Sequence, residues 1–280
     1  MKRVTCFSGF MQYKDTMKRQ IQMHKKSISK RIKHILMIIG IVIAVLAAAF
    51  LIYTSFYYRA DSTAVKILET DSRIKTDENL TILPSDNFTQ STTASDDSAQ
   101  SPMSSDNTTY SGDTGFIFYP GANVEAVAYL PLLEKIEKEC GITCVLVKMP
   151  FNMAVFDENA ADHVINEFPN IKKWYIGGHS LGGAIASMYA AKHQDKVQGL
   201  ILMGAYLSAD YPGSRTLVIY GSLNTAIERH LKGTEYVVKI EGGNHAEFGN
   251  YGRQFGDAEA AISREEQQTQ TKNAVKEFIQ

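Results

Sequence analysis

A serine within a glycine-rich segment has the surroundings of a nucleophile. Ser180 stands in GGHSLGG (residues 177–183), between the apolar run WYI and the helix-forming run AIASMYAAKH. The pattern G-x-S-x-G between a strand and a helix is typical of a serine held on a strained turn, with its hydroxyl exposed above a sheet. Glycines beside the serine leave room for the neighbouring backbone. The pattern therefore predicts Ser180 as a nucleophile for acyl transfer.

A histidine in a second glycine-rich segment is suited to act as the base. His245 stands in EGGNHAEFG (residues 241–249), directly after the last predicted strand. Of the seven histidines in the chain, it alone combines that position with a glycine-rich loop. It also follows Ser180 in the chain, which is the order that this strand–turn–helix arrangement uses. We therefore predict that His245 takes the proton of the attacking hydroxyl.

Two backbone N–H groups near these residues are candidates for an oxyanion hole. Acyl transfer places negative charge on the former carbonyl oxygen, and two aligned N–H donors stabilise that charge. Leu181, directly after Ser180, supplies one donor. Ala122, in the turn YPGAN (residues 119–123), is predicted to supply the other.

The elements that must position these residues alternate along the chain from residue 114 onward. The predicted strands are short apolar runs, which is typical of strands covered on both faces. Strands are expected at 115–119, 144–148, 173–176, 197–203, 216–220 and 236–240, and helices at 124–139, 157–168, 181–193 and 263–279. This alternation predicts a doubly wound, mostly parallel α/β sheet with its functional residues at the carboxyl ends of the strands. Twelve residues between the fourth and fifth strands of this series are too few for a lid domain.

The motifs GGHSLGG, FYPGA and GGNHAEFGNYG together resemble the α/β-hydrolase fold, and within it the compact subgroup often called family 5, which is similar to dienelactone hydrolases. The resemblance covers residues 114–280 and, more loosely, 58–84. It implies a serine hydrolase with Ser180 as nucleophile, His245 as base and an acid on the loop after the strand Leu217–Tyr220. It implies neither a metal nor an organic cofactor, because side chains supply the nucleophile and the base.

The acid is where this chain departs from the family pattern. The family usually has Gly-Ser-x-Asp after that strand, whereas this chain has GSLN and therefore Asn224. An amide can hydrogen-bond a histidine but cannot stabilise an imidazolium with a charge. Asp210, expected at the same edge of the sheet, is the best substitute, and Glu228 and Glu241 are further candidates. The sequence does not choose among them, and an enzyme impaired at this position is consistent with it.

The composition excludes several classes of protein. Of the 280 residues, 44% are hydrophobic and 21% charged, which is close to the globular average and excludes a wholly disordered chain. Three cysteines are too few for a disulfide scaffold, and no close Cys and His pairs indicate a metal site. Residues 1–34 carry ten Lys or Arg against one acid, which leaves 19 basic and 29 acidic residues in the remainder. A basic N-terminal segment followed by an acidic remainder argues against nucleic acid as a partner.

An apolar segment follows the basic N-terminal segment. Residues 35–53 form the uncharged run ILMIIGIVIAVLAAAFLIY, and no charge follows until Arg59. Nineteen helical residues span about 28 Å, which matches the hydrocarbon core of a bilayer. A cleaved signal peptide usually has a shorter apolar region, so we predict an uncleaved anchor in the lipid bilayer over residues 35–58. The basic flank places the N-terminus in the cytoplasm and the rest outside, as a single-pass protein of the cell membrane.

The chain is thus expected to have five parts. These are a basic cytoplasmic segment (1–34), a transmembrane anchor (35–58), a membrane-proximal segment with membership of the hydrolase domain left open (59–84), a flexible Ser/Thr/Asp-rich linker (85–113) and an α/β-hydrolase domain (114–280).

Two hypotheses for the function follow from these parts. The first is a membrane-anchored, esterase-like serine hydrolase that cleaves a carboxylic ester or related acyl bond of a small molecule; acyl transfer to an alcohol would use the same residues. The alternative is a catalytically silent α/β-hydrolase fold that serves as a binding module at the cell surface. Asn224 is the feature that favours the alternative.

Overall fold

A computed structural model of the chain describes residues 4–85 and 112–280. The chain forms two units, Met1–Ser55 and Phe56–Gln280. The predicted flexible linker lies outside the described residues except at its two ends. The division of the chain into cytoplasmic segment, anchor, linker and catalytic domain stays a prediction.

The first unit is a single helix, α1 (Val4–Ser55). In the described part of the chain, it is the one helix whose length and composition would let it cross a membrane. Its most apolar stretch has a mean hydropathy of 3.2. The helix ends three residues before the predicted end of the anchor, so that the residues from Phe56 onward belong to the second unit.

The second unit is an eight-stranded sheet with helices on both faces. The strands are β1 (Lys75–Thr76), β2 (Leu80–Leu83), β3 (Thr114–Tyr119), β4 (Thr143–Val147), β5 (Lys173–His179), β6 (Val197–Met203), β7 (Thr216–Gly221) and β8 (Tyr236–Ile240). The helices are α2 (Ser62–Thr70), α3 (Leu130–Cys140), α4 (Ala160–Glu167), α5 (Leu181–Lys192) and α6 (Arg264–Ile279). The predicted α/β architecture is confirmed, and α2 and β2, which lie in the segment 59–84, belong to it.

The order of the strands is β1-β2-β4-β3-β5-β6-β7-β8. The pairs β1/β2 and β2/β4 are antiparallel, and all other pairs are parallel. The chain winds outward from β3 to β4 and then crosses over β3 to continue with β5. The sheet therefore reverses its winding between β3 and β5, which is where open α/β sheets form their binding crevice.

The core lies in two layers, one on each face of the sheet. Successive residues of a strand point to opposite faces, so that Ile117 packs with α4 and α5 while Phe116 and Phe118 pack with α3 and α6. All three side chains are buried. Because both faces are covered, the strands contain the continuous apolar runs that the sequence shows.

Two helices are shorter than predicted. The helix expected at 124–139 starts at Leu130, because a tight 3₁₀ turn over Ala126–Tyr129 precedes it and Pro131 favours a helix start there. The helix expected at 157–168 spans only Ala160–Glu167, because Asp157 has a non-helical backbone with φ −151° and ψ 68°. The crossover between β6 and β7 holds one 3₁₀ turn, Gly213–Arg215, and no lid, as its length predicted.

A close backbone contact fixes where α5 begins. A Cβ on Gly182, in the first turn of α5, would lie 2.2 Å from the carbonyl oxygens of both Tyr119 and Pro120. These two carbonyls belong to the end of β3 and the turn after it. The helix N-terminus therefore sits directly against that turn, and only glycine permits the contact.

We expect Gly182→Ala to destabilise the second unit. Alanine normally stabilises a helix interior by up to about 1 kcal/mol relative to glycine, but here its methyl group would overlap two carbonyl oxygens, and overpacking of this kind costs about 1–3 kcal/mol. A melting curve of the purified protein in detergent should show a lower midpoint. Gly112→Ala is the control, since its Cβ would have its nearest neighbour at 3.5 Å. A raised midpoint for Gly182→Ala would contradict the contact.

Candidate active site

The candidate nucleophile occupies a one-residue turn between β5 and α5. Ser180 has φ 53° and ψ −122°, a backbone conformation that residues other than glycine rarely adopt. Its N–H donates to the carbonyl oxygen of Met203, the last residue of β6, at 3.0 Å. The serine is only half-buried, while its neighbours His179 and Gly182 are buried. This is the geometry of a hydroxyl raised above the carboxyl edge of a sheet.

The two predicted oxyanion donors belong to loops that touch each other. Tyr119 at the end of β3 is the register partner of Gly178 in β5, and a Cβ on Gly178 would lie 2.3 Å from the Tyr119 carbonyl oxygen. Leu181 is the first residue of α5, so that its N–H has no partner within the helix. Ala122 lies in the turn that packs against this helix start. Both N–H groups therefore lie on segments that meet beside Ser180.

The candidate base lies over the end of the next strand. His245 precedes a 3₁₀ turn, Ala246–Phe248, in the loop after β8. A Cβ on Gly204 would lie 2.9 Å from His245 Nδ1, so the imidazole packs directly on that glycine. Gly204 follows Met203, whose carbonyl oxygen holds the N–H of Ser180. Ser180 and His245 thus contact two consecutive residues at the end of β6.

Burial and one carboxylate act on the imidazole in opposite directions. Burial lowers the pKa of His245, and the negative charge of Asp257 raises it in part. The Asp257 carboxylate accepts the N–H of His245 at 3.2 Å and that of Ala246 at 2.8 Å. Sequence reasoning missed Asp257, because it follows the histidine by twelve residues in an irregular loop. The net effect is a pKa of His245 below its usual value.

Of the candidates for the acid position, Asn224 reaches the base. Its amide nitrogen Nδ2 lies 2.9 Å from His245 Nδ1. Glu228 instead pairs with Lys239 at 3.0 Å and accepts the hydroxyl of Tyr220 at 3.2 Å. Glu241 lies at the end of β8, with its carboxylate 4.0 Å from the same Lys239 ammonium.

Asp210 lies elsewhere than the sequence led us to expect. Its carbonyl oxygen accepts the side-chain amide of Gln194 at 2.9 Å. Gln194 stands beyond the end of α5, a helix about 18 Å long that starts directly after Ser180. The next residue, Tyr211, donates its hydroxyl to the carbonyl oxygen of Val197 at the start of β6. The loop after β6 therefore turns back along α5 and carries Asp210 toward the opposite edge of the sheet.

A second histidine, which the sequence reasoning set aside, joins the loops of the site. His179 Nε2 donates to the carbonyl oxygen of His245 at 2.9 Å, because a carbonyl can only accept. His179 Nδ1 then accepts the hydroxyl of Tyr129 at 2.8 Å. The Tyr129 oxygen in turn accepts the N–H of Gly121 at 3.1 Å. Burial holds the pKa of His179 well below its usual range, so this chain of hydrogen bonds is neutral.

The candidate site contains groups that are suited to acyl transfer. Within residues 4–85 and 112–280, no group of three or more His, Cys, Asp and Glu side chains is placed to hold a metal ion. The residues that the structure brings together are a hydroxyl, an imidazole, an amide and two backbone N–H groups. Such a set can attack an acyl carbon, carry a proton and stabilise an oxyanion.

Parts of this chain are similar to known proteins. Residues 115–269 match the Alpha/beta hydrolase family. A protein of Mycoplasma genitalium provisionally named a proline iminopeptidase is 28% identical over 103 residues, which are 35% of this chain and 33% of that protein. The chain therefore spans about a third of that relative's length.

Solved structures align with the chain at low identity. A soluble variant of the monoglyceride lipase of Saccharomyces cerevisiae aligns with a TM-score of 0.49 and 10% identity, over 73% of this chain and 92% of that one. The monoacylglycerol lipase of Paleococcus ferrophilus aligns with a TM-score of 0.44 and 13% identity, over 59% and 94%. Since the family match covers more than half of its length, the chain belongs to the alpha/beta hydrolase family.

Proposed function

We propose that the protein is a serine hydrolase that cleaves a carboxylic ester or related acyl bond. The observation that carries the proposal is the placement of Ser180 and His245 on the consecutive residues Met203 and Gly204. The strained backbone of Ser180 supports it further, because strain of this kind is kept where a function requires it.

In the proposed reaction, the Ser180 hydroxyl attacks the acyl carbon and its proton passes to His245 Nε2. The carbonyl oxygen becomes an oxyanion that accepts the N–H groups of Ala122 and Leu181. Its collapse breaks the bond to the alcohol, which takes the proton from His245 and leaves. Water then repeats the sequence on the acyl-serine and releases the acid. An alcohol in place of this water would give acyl transfer by the same residues.

The tautomer of the base sets the role of Asn224. For Nε2 to accept the serine proton, Nδ1 must carry the other proton. Asn224 then has to face Nδ1 with its carbonyl oxygen, which a half-turn of the amide provides at the same 2.9 Å distance. In this role Asn224 orients the imidazole, and the negative charge closest to the new imidazolium is that of Asp257.

We further propose that α1 anchors the hydrolase domain to the outer side of the cell membrane. Support comes from the length and hydropathy of α1 and from the basic side chains of residues 25–33 before its apolar part. A small-molecule ester or acyl compound would be the partner of the domain, and the bilayer the partner of the helix.

A catalytically silent binding module is the alternative function. The observation that favours it is the contact of His245 with an amide where the family usually has a carboxylate. The two functions differ in one property, the reactivity of Ser180.

A fluorophosphonate probe is expected to label the full-length protein in detergent. The probe reacts with activated serine hydroxyls, so Ser180→Ala should abolish the label. Ser187→Ala is the matched control, because Ser187 lies in the same α5 and is buried. Absence of labelling in the intact protein would favour the silent module.

Asn224→Asp is expected to raise turnover. It should also shift the fall of activity on the acidic side of the pH profile to higher pH. The base must be neutral to accept a proton, so activity falls as pH drops through the pKa of His245. Burial holds that pKa below about 6.5, and a new carboxylate at Nδ1 would raise it. In serine proteases, the reverse change lowers turnover by about 10⁴.

The measurement for this prediction is kcat/KM for a short-chain 4-nitrophenyl ester between about pH 4 and 9, a range that brackets the ordinary histidine pKa. Asp210→Asn is the control and should leave the profile unchanged, because Asp210 lies toward the far end of α5. Unchanged turnover in Asn224→Asp, combined with a loss in Asp210→Asn, would assign the role of the acid to Asp210.

Asp257→Asn is expected to act in the opposite direction. Removing its charge lowers the pKa of His245 further, so the acid limit of kcat/KM should move to lower pH while kcat falls. The amide keeps one oxygen that can accept a backbone N–H, and this limits the structural effect. A pH profile identical to that of the wild type would show that Asp257 only holds the backbone of the loop and does not affect the pKa of His245.

A further inference from the structure

The first residues after α1 are bonded directly to the loop that holds a proposed oxyanion donor. The Phe56 carbonyl oxygen accepts the side-chain amide of Asn123 at 2.8 Å. The N–H of Tyr58 donates to the Asn123 carbonyl oxygen at 2.8 Å. The carbonyl oxygen of Tyr58 accepts the N–H of Glu125 at 2.9 Å. Tyr58 and Val124 form a parallel β-bridge. We call residues 56–61 the strap.

The strap also reaches the loop that carries the proposed base. The ring of Tyr58 packs against Tyr251 with 5.6 Å between ring centroids, and its hydroxyl accepts the N–H of Phe255 at 3.0 Å. The N–H of Asp61 donates to the carbonyl oxygen of Asn250 at 2.7 Å. One extended segment therefore bonds to both loops at the carboxyl edge of the sheet.

The strap leaves almost no free chain between the predicted anchor and this edge. Helix α1 ends at Ser55, and the next residue already makes the first bond to Asn123. The chain from Ser55 to Tyr58 is only three residues long, which is about 10 Å when extended.

Four phenylalanine side chains on the strap, on the loop after β8 and on the loop after β4 are exposed to solvent. Phe56 is 76% exposed and Phe255, whose N–H bonds the Tyr58 hydroxyl, is 97% exposed. Phe151 and Phe156 are about half exposed, and the carbonyl of Asn152 between them accepts the N–H of Asn123. We call these four side chains the aromatic rim.

The rim has features that point to a membrane surface. Large exposed apolar side chains on segments that are hydrogen-bonded to one another are candidates for an interaction surface, and aromatic side chains are enriched where protein meets the boundary of a bilayer. Phe151 has φ 54°, a left-handed backbone conformation that is uncommon for an aromatic residue. The bilayer that holds α1 is the apolar surface within reach.

We propose that the carboxyl edge of the sheet lies against the outer surface of the bilayer, with the aromatic rim in the interface, and that the site acts on esters whose acyl chains reside in that bilayer. This inference rests on the proposed function, because it needs both the anchor and the reactive serine. It adds the substrate class: amphiphilic acyl esters taken from the membrane surface.

Fluorescence quenching by brominated lipids tests the placement without any use of activity. Phe255→Trp in the full-length protein, reconstituted in brominated phosphatidylcholine vesicles, should be quenched. Tyr236→Trp is the matched control: it is 58% exposed, begins β8 at the opposite edge of the sheet, and should not be quenched. Trp174, the only native tryptophan, is buried and gives both variants the same background. Equal quenching of the two variants, or none in either, overturns the placement.

A flexible linker inserted between Ser55 and Phe56 tests the substrate class. A Gly/Ser linker of twelve residues extends over about 20 Å and frees the edge from the bilayer. Hydrolysis of a long-chain 4-nitrophenyl ester carried in vesicles should fall on the order of tenfold, while hydrolysis of water-soluble 4-nitrophenyl acetate should be unchanged. Equal rates on the vesicle ester with and without the linker overturn the substrate class. If neither ester is cleaved and no probe labels Ser180, the hydrolase proposal itself fails, and the quenching result still decides the placement.

Discussion

The approach of one helix start to two carbonyl groups is the contact on which the site depends. Gly182 lies against the carbonyl oxygens of Tyr119 and Pro120, and Gly178 lies against the first of them. A methyl group at either position would push α5 away from the turn after β3. The two proposed oxyanion donors lie on opposite sides of this contact, at Leu181 and Ala122. Their separation is therefore set by backbone packing, which varies much less than side-chain position.

A buried chain of neutral hydrogen bonds joins the loops around that contact. It runs from the N–H of Gly121 through Tyr129 and His179 to the carbonyl oxygen of His245. Each group in it is paired, and a buried polar network stabilises a structure only when its members are satisfied. A charged His179 would have two donors facing one hydroxyl and one carbonyl, in a site where burial already opposes the charge. Neutral His179 thus links the turn after β3, the turn at Ser180 and the loop after β8.

The sequence predicted what local patterns encode. Short apolar runs alternating with helices predict a covered parallel sheet, and the glycines around Ser180 predict its turn, because both signals lie within about ten residues. Long-range contacts decided the rest. A hydrogen bond from Gln194 to Asp210, and one from the next residue, Tyr211, to Val197, hold Asp210 away from the carboxyl edge of the sheet. Tyr58, predicted to belong to the anchor, packs against Tyr251, which is far from it in the chain. The role of His179 depends on two hydrogen-bond partners, Tyr129 and the carbonyl of His245, that no spacing in the sequence relates to it.

The charge beside the proposed base follows from the same balance of burial and hydrogen bonding. A half-buried imidazolium needs either solvent or an opposite charge, and an amide at Nδ1 offers only a dipole. Asp257 supplies a full negative charge on the backbone side of His245, where its carboxylate also caps the turn that holds the histidine. This arrangement raises the pKa of the base less than burial lowers it. A base with a lowered pKa is a weaker proton acceptor, but it remains neutral over a wider range of pH. Burial therefore lowers the proton affinity of His245 and Asp257 restores part of it, so that the neutral imidazole persists to lower pH than in a free histidine.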